Sequence, residues 1–111
     1  MKPLLVSLLA IAAVAALPPA QGAQTFTGTI TDSMCADANH AGMRMGPTDA
    51  ECTVACVMEH DADYILYDGK TSYVLSDRRM PEKLAGQRVR VTGTLDATTR
   101  TIRVESIAAA R

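Results

Sequence analysis

Residues 87–96 read Q-R-V-R-V-T-G-T-L-D, and this alternation of apolar and polar side chains is the clearest fold signal in the chain. One face of the stretch carries Val89, Val91, Gly93 and Leu95, while arginines and threonines occupy the other. A period of two residues predicts a strand with one buried face. A glycine inside such a strand indicates a bend or a close backbone approach. The stretch therefore predicts a half-buried strand in a bent sheet.

Four more segments show strand-like patterns on either side of this stretch. Residues 100–107 follow it after a polar turn, and residues 25–31, 63–67 and 71–76 precede it. Asp68-Gly69-Lys70 separates two of these runs, and Asp-Gly at such a position is a strong hairpin signal. Residues 81–86, P-E-K-L-A-G, predict a turn or short helix. The residues after Ile107 are expected to fray.

The five predicted strands are short, and glycines lie inside the first (Gly28) and the fourth (Gly93). These features predict a small sheet that bends strongly and closes on itself. We therefore expect a mainly β protein, a five-stranded OB-like barrel with a Cys/His-bearing loop and one short helix inserted between strands 1 and 2. An open meander sheet packed on one helix is the alternative.

The inserted segment, residues 34–60, holds all three cysteines, both histidines and four of the six methionines. Residues 32–47 lack an apolar period and predict a long loop. Thr48 and Glu51 then form a capping-box pattern that predicts a helix from about 49 to 60. On this helix Cys52, Cys56 and His60 follow one another at i, i+4 and i+8, so they share one face.

These residues predict a metal site. Three sulfurs from Cys35, Cys52 and Cys56 with one nitrogen from His40 match a common tetrahedral zinc set, and His60 is the reserve nitrogen ligand. Copper is the second metal considered, because soft ligands favour Cu(I) and the segment is rich in sulfur. The methionines that would contribute are Met34, Met43, Met45 and Met58.

A disulfide is an equally open explanation of the cysteines. Cys35 joined to Cys52 or Cys56 would pin the loop to the helix and contribute about 3 kcal/mol by restricting the unfolded chain. The odd number of thiols leaves one over. Haem attachment is disfavoured because Val57, not histidine, follows Cys56, and the C-x-x-x-C spacing does not match a redox pair.

The first 23 residues predict a secretory signal peptide. Lys2 precedes an apolar run at residues 4–17, and Pro18-Pro19 and small residues follow, so cleavage is expected after Gly22 or Ala23. The run is too short for a stable membrane span. We expect a soluble periplasmic or secreted domain at residues 24–111. Its slightly acidic charge does not indicate a nucleic-acid partner.

Several segments resemble a group of small exported bacterial proteins of unknown function. They are G-T-I-T-D-S-M-C at residues 28–35, E-C-T-V-A-C-V at 51–57 and A-G-Q-R-V-R-V-T-G-T-L-D at 85–96. The resemblance covers nearly all of the chain after the signal, with D-S-x-C and C-T-x-x-C-V as its signature. It implies an OB-like barrel and brings no activity with it.

Together these observations predict an exported, non-catalytic protein that binds zinc or copper through a Cys3His-type site. The alternative is a disulfide-stapled binding module for an unknown protein of the cell envelope. A thiol redox factor is the third and weakest hypothesis.

Overall fold

The computed structural model describes residues 3–4, 10 and 22–110. Within them lie five strands and two helices: β1 Gln24–Asp32, α1 Asp49–His60, β2 Tyr64–Tyr67, β3 Ser72–Leu75, α2 Arg79–Glu82, β4 Arg88–Asp96 and β5 Thr101–Ala109. The predicted signal peptide lies almost entirely outside the described residues, so that assignment stays a prediction. In the described part, no helix is long and apolar enough to cross a membrane.

The five strands form one closed ring in the order β1-β2-β3-β5-β4, and β4 pairs again with β1. Every neighbouring pair is antiparallel except β3 and β5, which are parallel over the short contact of Val74 with Thr101 and Leu75 with Ile102. The predicted five-stranded barrel with a helix between strands 1 and 2 is confirmed. The open meander is wrong, because β1 has a partner on both edges.

The two strand glycines lie where strands approach too closely for a side chain. A Cβ atom on Gly28 would collide with the backbone carbonyl of Tyr67, and one on Gly93 with the backbone carbonyl of Arg103. The β4–β5 register shifts between Thr92 and Gly93, which bends the sheet at that point. The glycines therefore permit the curvature that closes the ring.

The short helix begins earlier than its sequence pattern predicts. It covers Arg79–Glu82, where a start at Pro81 was expected. The carboxylate of Asp77 accepts hydrogen bonds from the backbone N–H groups of Arg79 (2.7 Å) and Met80 (3.1 Å). This side chain stabilises the first turn two residues ahead of the proline.

The expected fraying after Ile107 is also wrong. Strand β5 continues to Ala109, which pairs with Val89, and the N–H of Ala110 donates to the carbonyl of Arg88 at 2.9 Å. The first residues of β4 supply these partners. The end of the strand is therefore held by tertiary pairing, although its alanines carry little strand signal of their own.

The core fills the inside of the ring and continues under α1. The strands contribute fully buried aliphatic side chains from Ile30, Leu66, Val89, Val91 and Ile102. From α1 come the buried side chains of Cys52, Thr53, Cys56 and Val57. Helix α1 packs on β1, so the end of β1 is covered on both sides and becomes the place where polar groups are buried.

Candidate metal centre

Three ligand-type side chains converge just where β1 ends. Asp32 is the last residue of β1, and Cys35 and His40 lie in the loop that follows it. One potential ligand atom from each of them lies within 4.8 Å of the others. Their exposed fractions are only 0, 5 and 4%. Oxygen, sulfur and nitrogen donors are thus gathered in a site from which water is largely excluded.

The carboxylate of Asp32 organises the turn that carries Cys35. Its Oδ1 accepts hydrogen bonds from the backbone N–H groups of Met34 and Cys35, both at 3.0 Å. Its Oδ2 accepts one from the hydroxyl of Thr53 on α1 at 3.1 Å. A carboxylate offers roughly four acceptor positions. These bonds fill three of them, and the Cys56 thiol lies against the same carboxylate.

Asp32 was not among the residues predicted from the sequence as ligands, although a local signal for it exists. An aspartate at the end of a strand, followed by Ser33 and Met34, is typical of a turn in which the side chain accepts backbone N–H bonds. That signal predicts a turn. It does not show that the turn places the carboxylate beside His40, eight residues further on.

His40 is held beside Thr31 and keeps one ring nitrogen free. The Thr31 hydroxyl donates to the carbonyl of Cys35 at 2.7 Å, and its oxygen lies 3.5 Å from Nε2 of His40. Nδ1 of His40 is buried and has no hydrogen-bond partner among the described residues. An unpaired buried polar atom costs about 1–3 kcal/mol, so this nitrogen is a vacant acceptor or ligand position.

The helix cysteines occupy different surroundings. The Cys52 thiol donates to the carbonyl of Met43 at 3.4 Å and accepts from the N–H of Met45 at 3.3 Å, so it fastens the loop to α1. Cys56 is fully buried near Asp32. Burial, together with the negative charge of Asp32, raises the pKa of Cys56 to about 12.

All three cysteines are free thiols. The disulfide that was considered as an alternative is therefore not formed in this structure. Burial, followed by the charge of Asp32, also raises the pKa of Cys35. A buried thiol with a raised pKa is a weak nucleophile, because the thiolate is the reactive form. These surroundings disfavour thiol redox chemistry.

His60 and most of the methionines lie away from this buried set. His60 is the exposed last residue of α1, although Cys52 and Cys56 on the same predicted ladder are buried. Met34, Met43 and Met58 are 41, 45 and 73% exposed. Met45 packs partly against the core. The structure thus brings Cys35 together with His40, but it does not gather the methionines around them.

A family model described as "Protein of unknown function (DUF5818)" matches residues 62–110. The match spans β2 to β5 and leaves out β1, α1 and the three clustered residues, which all precede position 62. No curated protein and no solved structure matches this chain. The likeness therefore concerns the larger part of the barrel and carries no assignment for the site.

Proposed function

We propose that the protein binds one divalent transition metal ion of the zinc class through Asp32, Cys35 and His40, without catalysis. The observation that carries this proposal is the convergence of a carboxylate, a thiol and an imidazole within 4.8 Å, and the buried, unpartnered Nδ1 of His40 supports it. Carboxylate, thiolate and imidazole are all ordinary zinc ligands. A metal ion would satisfy the nitrogen and accept the Asp32 carboxylate as a ligand.

The charge of the site favours a divalent ion. With Asp32 ionised, Cys35 deprotonated by the metal and His40 neutral, the protein supplies two negative charges. A divalent ion makes this buried unit neutral, whereas Cu(I) would leave one negative charge in a site with almost no solvent. A carboxylate is also a poor ligand for Cu(I), which prefers sulfur. The exposed methionines do not offset that preference.

Three protein ligands leave one position of a tetrahedron to be filled. Cys56 is the candidate within the fold, because its thiol is buried and faces the same carboxylate. As a thiolate it would bring the net charge of the site to −1 with a divalent ion and to −2 with Cu(I), so the preference for a divalent ion remains. Cys52 is less suited, because its sulfur already bonds to the loop backbone on two sides. The Cys3His set expected from the sequence and the Asp/Cys/His set therefore differ mainly in the role of the helix sulfurs.

Export remains part of the proposal and is supported by the apolar run at residues 4–17. In an oxidising compartment free thiols tend to form disulfides. A bound metal ion would hold the Cys35 sulfur as a thiolate ligand and keep it from a partner thiol. Metal binding and export are thus compatible explanations of buried, unpaired cysteines.

The two histidines supply a matched pair of variants for the test. We expect the reduced protein to bind one Zn²⁺ by native mass spectrometry, with Co²⁺ giving the absorption of a sulfur-ligated tetrahedral ion. His40→Asn should weaken Zn²⁺ binding by more than the roughly 10–100-fold typical of residues that only support a ligand. His60→Asn should bind like the wild type. Equal affinities in the two variants would contradict the proposal.

Cysteine variants assign the fourth ligand. If Cys56 completes the site, Cys56→Ser should lose the corresponding sulfur-to-cobalt absorption, while Cys52→Ser should keep it. Loss of all metal uptake in Cys52→Ser, in a folded protein, would instead support the Cys3His set. Retention of full binding by Cys35→Ser would exclude both sets.

A further inference from the structure

We infer that Thr31 is the positioning residue of this site: its hydroxyl selects the His40 tautomer whose lone pair is on Nδ1, and so makes Nδ1 the metal ligand. Only the statement that Nδ1 binds a metal ion rests on the proposed function. The tautomer itself is a property of the metal-free protein. Thr31 is fully buried and belongs to β1, so its hydroxyl is held by the sheet instead of by the loop.

The direction of the single Thr31 hydroxyl proton decides the His40 tautomer. At 2.7 Å from the Cys35 carbonyl, which can only accept, the hydroxyl must be the donor. Towards His40 the same oxygen therefore presents only lone pairs. Its 3.5 Å contact with Nε2 is attractive only if Nε2 carries the hydrogen. In a neutral imidazole, Nδ1 is then the nitrogen without one.

The opposite tautomer is disfavoured at both ring nitrogens. A hydrogen on Nδ1 would point into buried surroundings where the described residues provide no acceptor. The lone pair on Nε2 would face the lone pairs of Thr31. The inferred tautomer leaves one atom unsatisfied, whereas the opposite tautomer leaves two.

Metal-binding histidines commonly donate their second ring N–H to a nearby oxygen, which orients the ring and sets its tautomer. Thr31 provides that oxygen here. Because the Thr31 hydroxyl also bonds to the Cys35 carbonyl, one side chain orients the backbone of one proposed ligand and the ring of another. Thr31 and the Asp32 carboxylate are consecutive residues, so the end of β1 positions the whole site.

The first test is the imidazole nitrogen spectrum of the metal-free, reduced full chain. The chain has only two histidines, so the His60→Asn variant assigns the His40 signals. At about pH 8, above the ordinary pKa of histidine, two-bond ¹H–¹⁵N spectra should show the lone pair on Nδ1 and the hydrogen on Nε2. A lone pair on Nε2, or an even mixture of the tautomers, would overturn the inference.

The second test compares Thr31→Val with Thr31→Ser. Valine keeps the shape but removes the hydroxyl, whereas serine retains it. The Cys35 carbonyl keeps a bond from the N–H of Ala38 at 2.9 Å in either variant. Thr31→Val should mix the His40 tautomers and weaken Zn²⁺ binding by about 10–100-fold, and Thr31→Ser should restore both. Zn²⁺ binding by Thr31→Val that equals the wild type would overturn the inference.

These results separate the two proposals. Loss of Zn²⁺ binding from every form of the protein, with the lone pair still on Nδ1, would contradict the metal function and leave the role of Thr31 intact. Zn²⁺ bound through Nε2 would support the function and overturn the role of Thr31. If Thr31→Val does not fold, the wild-type spectrum and the affinity of Thr31→Ser still decide the question.

Discussion

At the scale of single residues, Asp32 links three parts of the molecule. Its carboxylate bonds to the backbone of the turn at Met34 and Cys35 and to the Thr53 hydroxyl on α1. It is fully buried, so its charge is stabilised by these hydrogen bonds and not by water. The same residue therefore supports the fold and offers an oxygen to the proposed metal ion.

Asp32→Ala should lower the free energy of unfolding by about 3 kcal/mol or more, because three donors, two of them in buried bonds, lose a charged acceptor. Urea unfolding with a metal chelator measures this loss without a contribution from metal binding. Asp37→Ala is the matched control, since Asp37 also accepts a backbone N–H, from Asn39 at 3.0 Å, but in an exposed turn. Similar losses in the two variants would show that burial adds nothing to the role of Asp32.

The Asp68 carboxylate in the hairpin turn should make the stability of the protein depend on pH. Hydrogen bonds from the backbone N–H groups of Thr71 and Lys70 lower the pKa of Asp68 below its ordinary 3.8. A lowered folded-state pKa means that this stabilisation is present above the unfolded-state pKa and is lost as the pH falls through the folded-state pKa. The melting temperature of the wild type should therefore fall more steeply below about pH 4 than that of Asp68→Asn. Parallel pH profiles would contradict this assignment.

At the scale of elements, α1 is defined by its first turn. The Thr48 hydroxyl accepts from the N–H of Glu51 at 3.1 Å and donates to the Glu51 carboxylate at 3.1 Å. This is the N-cap half of the capping box expected from the sequence, because the Glu51 carboxylate bonds to the Thr48 hydroxyl and not to its backbone N–H. The helix covers Asp49–His60 as predicted. The helix presents Thr53 to Asp32 and Cys52 to the loop, so its start position sets the register of those contacts.

Thr48→Ala should lower the free energy of unfolding by about 1 kcal/mol, the usual cost of losing an N-cap side chain. Chemical denaturation monitored by circular dichroism measures the change. Thr98→Ala, in the exposed turn between β4 and β5, serves as the control and should leave the stability nearly unchanged. An effect of equal size at Thr98 would contradict the capping role of Thr48.

At the scale of the whole molecule, ring closure depends on close strand crossings. Gly28 lies against the backbone of Tyr67, and Gly93 lies against that of Arg103. Because both obstacles are backbone atoms, a side chain could fit only if strands moved apart. The short parallel contact between β3 and β5 then completes the ring, with Val74 donating its N–H to Arg100 at 2.9 Å.

Gly93→Ala should destabilise the protein by about 1–3 kcal/mol, the usual range when extra atoms are forced into a packed interior. Thermal unfolding measures it as a lower melting temperature. Gly42→Ala is the control, since a Cβ at Gly42 meets nothing within 4 Å and its backbone does not require glycine. Equal melting temperatures for the two variants would show that the strands separate easily at Gly93.

Helices and strands whose signals lie within the segment itself were largely predictable from the sequence. Periodicity located all five strands, and the capping box located α1, because strand and helix periods are local properties of the chain. The same reasoning failed where a hydrogen bond from outside the pattern sets the end of an element. The last alanines of β5 form strand only because β4 pairs with them, and α2 begins early because the Asp77 side chain reaches its first N–H groups.

For the site, the amino-acid sequence by itself determined the chemistry available: three cysteines and two histidines in the inserted segment, with Asp32 just before it. Only the tertiary structure decided which of them meet. It brought Asp32, Cys35 and His40 together beside Thr31 and left His60 exposed on the last turn of α1. The physical reason is that local patterns specify the elements, whereas the path of a loop without a period depends on hydrogen bonds between residues that are distant in sequence, such as Asp32 and Thr53.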